Sequence, residues 1–266
     1  MKIYIYIIAT VFYSLSFSSC GKDFLDVTPI DNLAGNNFWK TKQDVESFTL
    51  SIYNRFRAET MINTPFFVAT GELRGAPVYL NSEHTSDEYV NFLRENRIGE
   101  LLTNFRYSGD SGFKRITQWN KFYEIIELAN ILYTKIDDVP AGVLSNEQIK
   151  SYKAEAVFMR NLSYFFLVRI YGDVPYYLNA FNGTPLPRLD MIQVLKNGIA
   201  DLEVVKNDLP WTYEDSSLVG VRPMRGSVIV LLMHMNMWAA GFDKNNNKVY
   251  YGKVADLGRE IMDDNN

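Results

Sequence analysis

The sequence predicts an all-α fold, an array of helix pairs separated by long irregular loops. Three observations carry this. Apolar residues recur at spacings of three and four through most of the chain. The junctions between these stretches hold helix-start and helix-stop chemistry. Two helix starts, Asp190 and Met224, stand 34 residues apart, the repeat length of tetratricopeptide helix–turn–helix units.

The elements follow in chain order. Residues 21–39 form a loop-rich arm marked by Pro29, Asp31, Asn32, Gly35, Asn36 and Asn37. Thr41 is placed to cap a first helix whose inner face is Val45, Phe48, Ile52 and Phe56. Residues 60–113 lose the periodicity and are punctuated by glycines; long irregular stretches in compact domains tend to carry function. Trp119, Phe122, Ile126, Ala129, Tyr133 and Ile136 then mark a second helix, stopped by Asp137, Asp138, Pro140 and Gly142. Ser145 and Gln148 have capping-box spacing and open a third. Its inward face is expected at Ala154, Phe158, Leu162, Phe165 and Arg169, with Gly172 as C-terminal cap and Pro175 blocking continuation. After a loop holding Gly183, Pro185 and Pro187, Asp190 caps a helix with Ile192, Leu195, Ile199, Leu202 and Val205 inward. Pro223 suits the first turn of the next, which carries Val228, Leu231, Leu232, Met235 and Trp238. A polar turn, 241–247, precedes the last helix, marked by Tyr250, Val254, Leu257 and Ile261.

Composition bounds the function. The chain has 266 residues, 47% hydrophobic, 14% aromatic and 22% charged, which excludes a disordered or fibrous protein. A net charge of −4 without a basic run argues against a nucleic-acid partner, whose phosphates need clustered Lys and Arg. One cysteine and two histidines make neither an intrachain disulfide nor a zinc site, and no metal or cofactor is expected. The glycines around Gly71 and Gly75 form no phosphate loop. Asp243, Asn245 and Asn247 imitate the opening of a calcium loop, but Lys248 and Val254 stand where its glycine and bidentate glutamate belong. Carboxylates at Glu72, Glu83, Asp87, Glu88, Glu95 and Asp110 show no readable catalytic pairing, so no enzyme is expected. His84 reads as a solvated loop residue and His234 as a core histidine bonded to a backbone carbonyl.

Residues 1–19 read as an export leader: Lys2, an apolar run to Phe17, then Ser18 and Ser19. The run is shorter than the roughly 20 residues a membrane span needs. Cys20 follows directly, an arrangement that resembles a bacterial lipobox, in which the thiol receives a diacylglycerol. Acyl chains of that kind anchor a protein without spanning the membrane. The alternative is a plain signal peptide with an incidental cysteine.

Four segments together resemble the SusD/RagB family. Cys20-Gly21-Lys22-Asp23-Phe24-Leu25-Asp26 with Pro29 is similar to its lipidated start, continued by Phe38-Trp39-Lys40-Thr41, Asp44 and Tyr53. Trp119, Tyr123, Ile126, Ala129 and Asn130 resemble a second stretch. The most specific runs from Ala154-Glu155-Ala156-Val157-Phe158-Met159-Arg160 to Tyr171-Gly172-Asp173-Val174-Pro175. Asp201-Leu202, Leu209-Pro210 and Arg222-Pro223 complete it.

The resemblance implies a tetratricopeptide-like helical core in residues 20–266 and a surface lipoprotein of the outer membrane, anchored through Cys20. It implies a partner, a SusC-type TonB-dependent transporter, and a ligand, an oligo- or polysaccharide captured without cleavage. Members of the family run longer, so this chain is expected to be the N-terminal half without the C-terminal one. The alternative function is a truncated helical scaffold that docks on the transporter without binding glycan. Glycan contacts are expected in residues 71–110, with Tyr79 and Tyr107 stacking on sugar rings and Glu72, Arg74 and Asn81 reading hydroxyls. Ala76 and Pro77 replace a polar pair of the family there.

Overall fold

A computed structural model describes residues 38–61 and 119–263. By internal contacts the chain divides into residues 1–39 and 40–266. Of the first unit only Phe38 and Trp39 are described, their rings edge to face at 5.2 Å.

The second unit holds six α-helices among its described residues: α1 (Lys42–Met61), α2 (Asn120–Lys135), α3 (Asn146–Tyr171), α4 (Met191–Val205), α5 (Arg225–Phe242) and α6 (Asn247–Asp263). The predicted all-α, tetratricopeptide-like class is what the structure shows. Between α3 and α4 stands an antiparallel pair of two-residue strands, β1 (Val174–Pro175) and β2 (Arg188–Leu189), with Val174 opposite Leu189.

Local chemistry starts α1, α3 and α4 where the sequence places them. Thr41 and Asp44 cap α1 reciprocally, the Asp44 N–H donating to Thr41 Oγ1 at 3.2 Å and the Thr41 N–H to Asp44 Oδ2 at 2.7 Å. Ser145 and Gln148 do the same for α3 at 3.2 and 2.9 Å. Asp190 Oδ1 accepts from the N–H groups of Ile192 and Gln193. Helix α5 differs: Pro223 lies before the helix, Met224 is its N-cap, and the Met224 N–H donates to Ser227 Oγ at 3.2 Å.

Side-chain pairs give the directions. Trp119 meets Tyr171, Phe122 meets Phe166 and Asn130 meets Arg160, so α2 and α3 run antiparallel. Asp173 caps toward the Met191 N–H while Asp201 reaches Arg160, which sets α4 antiparallel to α3. Lys196 pairs with Asp243, and Arg225 Nη2 donates to the Asn207 carbonyl, which sets α5 antiparallel to α4. Asp190 and Met224 therefore begin neighbouring helices of opposite direction; the 34-residue interval is not a repeat from one pair to the next.

Helix α3 is the axis. It packs on α1, α2, α4 and α5, and its buried residues lie all round it, including Glu155, Ala156, Val157 and Phe165. The predicted stripe is corrected here: Ala154 and Phe165 are buried, but Phe158, Leu162 and Arg169 are only half-buried. A helix covered from several sides has no single inner face to read. Ile192, Ile199 and Trp238 are likewise half-buried, and Tyr133 is exposed. His234 is exposed on α5, 6.2 Å from the Phe165 ring, and is not a core histidine. Asp243 serves α6, accepting from Asn246 Nδ2 and from the Tyr250 hydroxyl, each at about 3 Å.

Candidate functional site

Two buried polar clusters and one open cleft are the chemically distinctive places among the described residues. In the first cluster Glu155, 2% exposed, accepts from the Tyr53 hydroxyl at 2.5 Å. Arg222 lies 3.5 Å from it through Nε and donates through Nη2 to Glu46 Oε2 at 2.6 Å. The Tyr152 hydroxyl donates to the other Glu46 oxygen at 2.5 Å. Burial pushes the Glu155 carboxyl up to about 7, against the pull of Arg222 and Tyr53. Burial opposes the charge of Arg222, but Glu155 and Glu46 more than offset it and hold the guanidinium above its ordinary value.

In the second cluster Arg160, 4% exposed, donates to Asp201 Oδ2 at 2.5 Å and to Asn130 Oδ1 at 2.8 Å. Asn161 Nδ2 adds a bond to Asp201 at 2.9 Å. Asn130 Nδ2 in turn donates to the Tyr177 carbonyl, and the Tyr164 hydroxyl accepts from the Tyr177 N–H at 2.6 Å. These clusters contain Asn130, Glu155, Arg160, Asp201 and Arg222, members of the segments that carry the family resemblance. Their work is to clamp α1, α2, α4 and the α4–α5 connection onto α3.

The cleft lies between the second half of α1, the start of α2 and the residues from Pro175 to Leu186. Its volume is about 1370 Å³, above the roughly 300–1,000 Å³ of ordinary small-molecule pockets. Ser51, Asn54, Arg55 and Ala58 face it from α1 because they recur at one helical face. Trp119, Tyr123, Tyr177 and Phe181 give it aromatic walls. The Tyr123 hydroxyl donates to the Pro175 carbonyl at 2.8 Å, and the Tyr177 hydroxyl accepts from the Leu186 N–H at 3.0 Å. Both rings are thereby fixed, standing perpendicular at 5.8 Å. Glu124 is held by Arg55 and Lys121, and Glu127 Oε1 by the Phe181 N–H at 2.6 Å. Arg188 lies over the Trp119 ring at 4.8 Å.

The residues expected to carry function from sequence, Cys20, Glu72, Arg74, Tyr79, Asn81 and Tyr107, lie outside the described residues, as does His84. The cleft was not legible in advance, because its walls come from three separated stretches. The one signal was the aromatic run at Trp119 and Tyr123, which reads as core. Among the described residues no helix is long and apolar enough to cross a membrane, and no three metal-ligating side chains cluster.

Fold and cleft define a helical-array protein with an aromatic-walled, open groove. The chain belongs to the SusD-like (SusD/RagB) family: residues 23–232 match the family model described as "Starch-binding associating with outer membrane". It is 24% identical to a SusD-like protein of Formosa agariphila over 90% of this chain and 44% of that one. It is 28% identical to a SusD-like protein of Bacteroides ovatus over 65% of this chain and 28% of that one. A crystal structure of a SusD homolog from Bacteroides thetaiotaomicron superposes with a TM-score of 0.72 at 44% identity, covering 86% of this chain and 49% of the other. A structure described as a laminarin binding SusD-like protein, at 21% identity and TM-score 0.57, shares the fold. The chain thus spans less than half the length of these relatives.

Proposed function

We propose that this chain captures an oligo- or polysaccharide at the cell surface and delivers it, uncleaved, to a SusC-type TonB-dependent transporter of the outer membrane. The observation that carries the reading is the cleft. Fixed aromatic faces stand beside planar polar groups such as Asn54 and Asn182, the pairing that takes a sugar's C–H face and its hydroxyls together. Family membership supports the membrane setting. Among the described residues the two cleft carboxylates, Glu124 and Glu127, already hold other groups, which favours binding over acid–base chemistry. In this reading residues 1–19 are the signal peptide, residues 20–266 the helical domain, and Cys20 the lipid attachment point. Tyr79 and Tyr107, with Glu72, Arg74 and Asn81, extend the ligand surface.

Retardation of the purified chain in native gels cast with soluble starch, laminarin or xylan tests the reading, with the same mixtures assayed for released reducing ends. Retardation without release is expected, and it should weaken in Tyr79→Ala and Tyr107→Ala. Release of reducing ends would make the protein a hydrolase. Absence of retardation, with co-purification of a large outer-membrane barrel, would favour the scaffold function.

A further inference from the structure

We infer that Phe181 is a sugar-stacking residue of the cleft and that Glu127 is the positioning residue that presents it; the inference rests on the glycan-binding reading and deepens it. The connection from β1 to β2 is closed on itself. The Leu186 N–H donates to the Tyr177 hydroxyl and the Thr184 N–H to Asn182 Oδ1, both at 3.0 Å. Within this loop Phe181 has a φ of 59°, the one positive value outside glycine among the described residues. Contact between Cβ and the neighbouring carbonyl ordinarily reserves that backbone region for Gly, Asn and Asp. A phenylalanine persists there only where its surroundings hold it.

What holds it is Glu127, which reaches from α2 so that Oε1 accepts the Phe181 N–H at 2.6 Å. A carboxylate acceptor makes this a charge-assisted bond. The side chain gains little burial in return: the residue remains 65% exposed while it lines the cleft. Packing therefore does not explain it. A strained backbone, a committed carboxylate and an exposed ring at the lip of an aromatic cleft make sense together if the ring meets a ligand. The ligand face it suits is apolar and flat, the C–H face of a pyranose ring, in the cleft that the fixed rings of Tyr123 and Tyr177 also line.

The test uses the whole chain in native gels cast with soluble starch, laminarin or xylan, and dissociation constants by calorimetry for whichever retards it. Phe181→Asn removes the ring and keeps a residue that accepts the left-handed backbone, so folding is preserved. Affinity should fall on the order of tenfold, as for loss of one aromatic anchor, with an unchanged melting temperature. Glu127→Ala should weaken binding by a similar factor, and Glu127→Gln, whose amide oxygen still accepts the N–H, should restore most of it. Wild-type binding that Phe181→Asn leaves unchanged would overturn the inference and leave the glycan reading standing. Equal losses in Glu127→Ala and Glu127→Gln would overturn the positioning role, because charge at the ligand and not an acceptor for Phe181 would then be at work. Wild-type protein that none of the three polysaccharides retards would overturn the inference together with the reading it rests on.

Discussion

Glu155 couples the fold to pH. Buried with Tyr53, Tyr152, Glu46, Tyr213 and Arg222 around it, its carboxyl is raised from 4.5 to about 7. A raised carboxyl means that the folded state binds the proton more tightly than the unfolded chain does. Its contribution is therefore full below about pH 4.5 and is lost as pH rises to about 7. The upper bound is about 3 kcal/mol at 1.36 kcal/mol per unit. The melting temperature should fall across this window in the wild type, and Glu155→Gln should remove that component of the slope. A variant whose slope matches the wild type would place the linkage on another group. At the second cluster, Arg160→Ala should cost roughly 3–5 kcal/mol in denaturant unfolding, because it strands Asp201 and Asn130 beside a buried site. Phe158→Ala, at a half-buried position, should cost less than the roughly 3–5 kcal/mol of a fully buried aromatic. The residues that make the family recognisable were legible as a pattern. Their role was not, since Glu155 and Arg222 stand 67 positions apart and nothing local pairs them.

At the scale of the element, what the sequence shows well is chemistry closed within three residues. The caps at Thr41, Ser145 and Asp190 were readable because each oxygen and its N–H partner lie within one turn. Gly172 was readable for a related reason: its φ of 71° ends α3 in a conformation that other residues rarely adopt. The inner face of α3 was not readable, because neighbours on several sides erase the stripe. The two-residue strands were too short to leave a periodic trace. Gly198 shows a different need, close approach. A Cβ there would stand 2.7 Å from Asn161 Oδ1 and 2.7 Å from the Met235 methyl. The methyl can swing aside, but Asn161 is fixed by its bonds to Asp201 and to the Val157 carbonyl. Gly198→Ala should therefore destabilise by about 1–3 kcal/mol through overpacking between α3, α4 and α5. Gly241→Ala, with open space at its Cβ, is the control and should leave the denaturation midpoint near that of the wild type.

Across the whole molecule, α1 is the element whose hold on the rest is most concentrated. Residues 62–118 separate it in sequence from α2, so its placement depends on side-chain links. Towards its start Glu46 meets Arg222 and Tyr152, at its middle Tyr53 meets Glu155, and further on Arg55 meets Glu124 and Phe56 meets Phe166 at 5.8 Å. Arg222 answers two carboxylates at once and ties α1 to the α4–α5 connection as well as to α3. Arg222→Leu removes the only guanidinium of that cluster among the described residues and leaves Glu46 and the buried Glu155 without their shared counter-charge. The loss should be roughly 3–5 kcal/mol, as for other buried pairs cut on one side. It should also be uneven. Native-state hydrogen exchange should show α1 amides losing protection more than those of α4 and α6, which are tied through Lys206, directly after α4, to Glu260 of α6 at 2.7 Å. Because Ser51, Asn54, Arg55 and Ala58 form one wall of the cleft, the glycan affinity proposed above should fall in the same variant although Arg222 does not line the cleft. Equal loss of protection in all helices would mean that the cluster supports the array as one unit. Retained affinity with a loosened α1 would mean that the cleft keeps its shape without that wall.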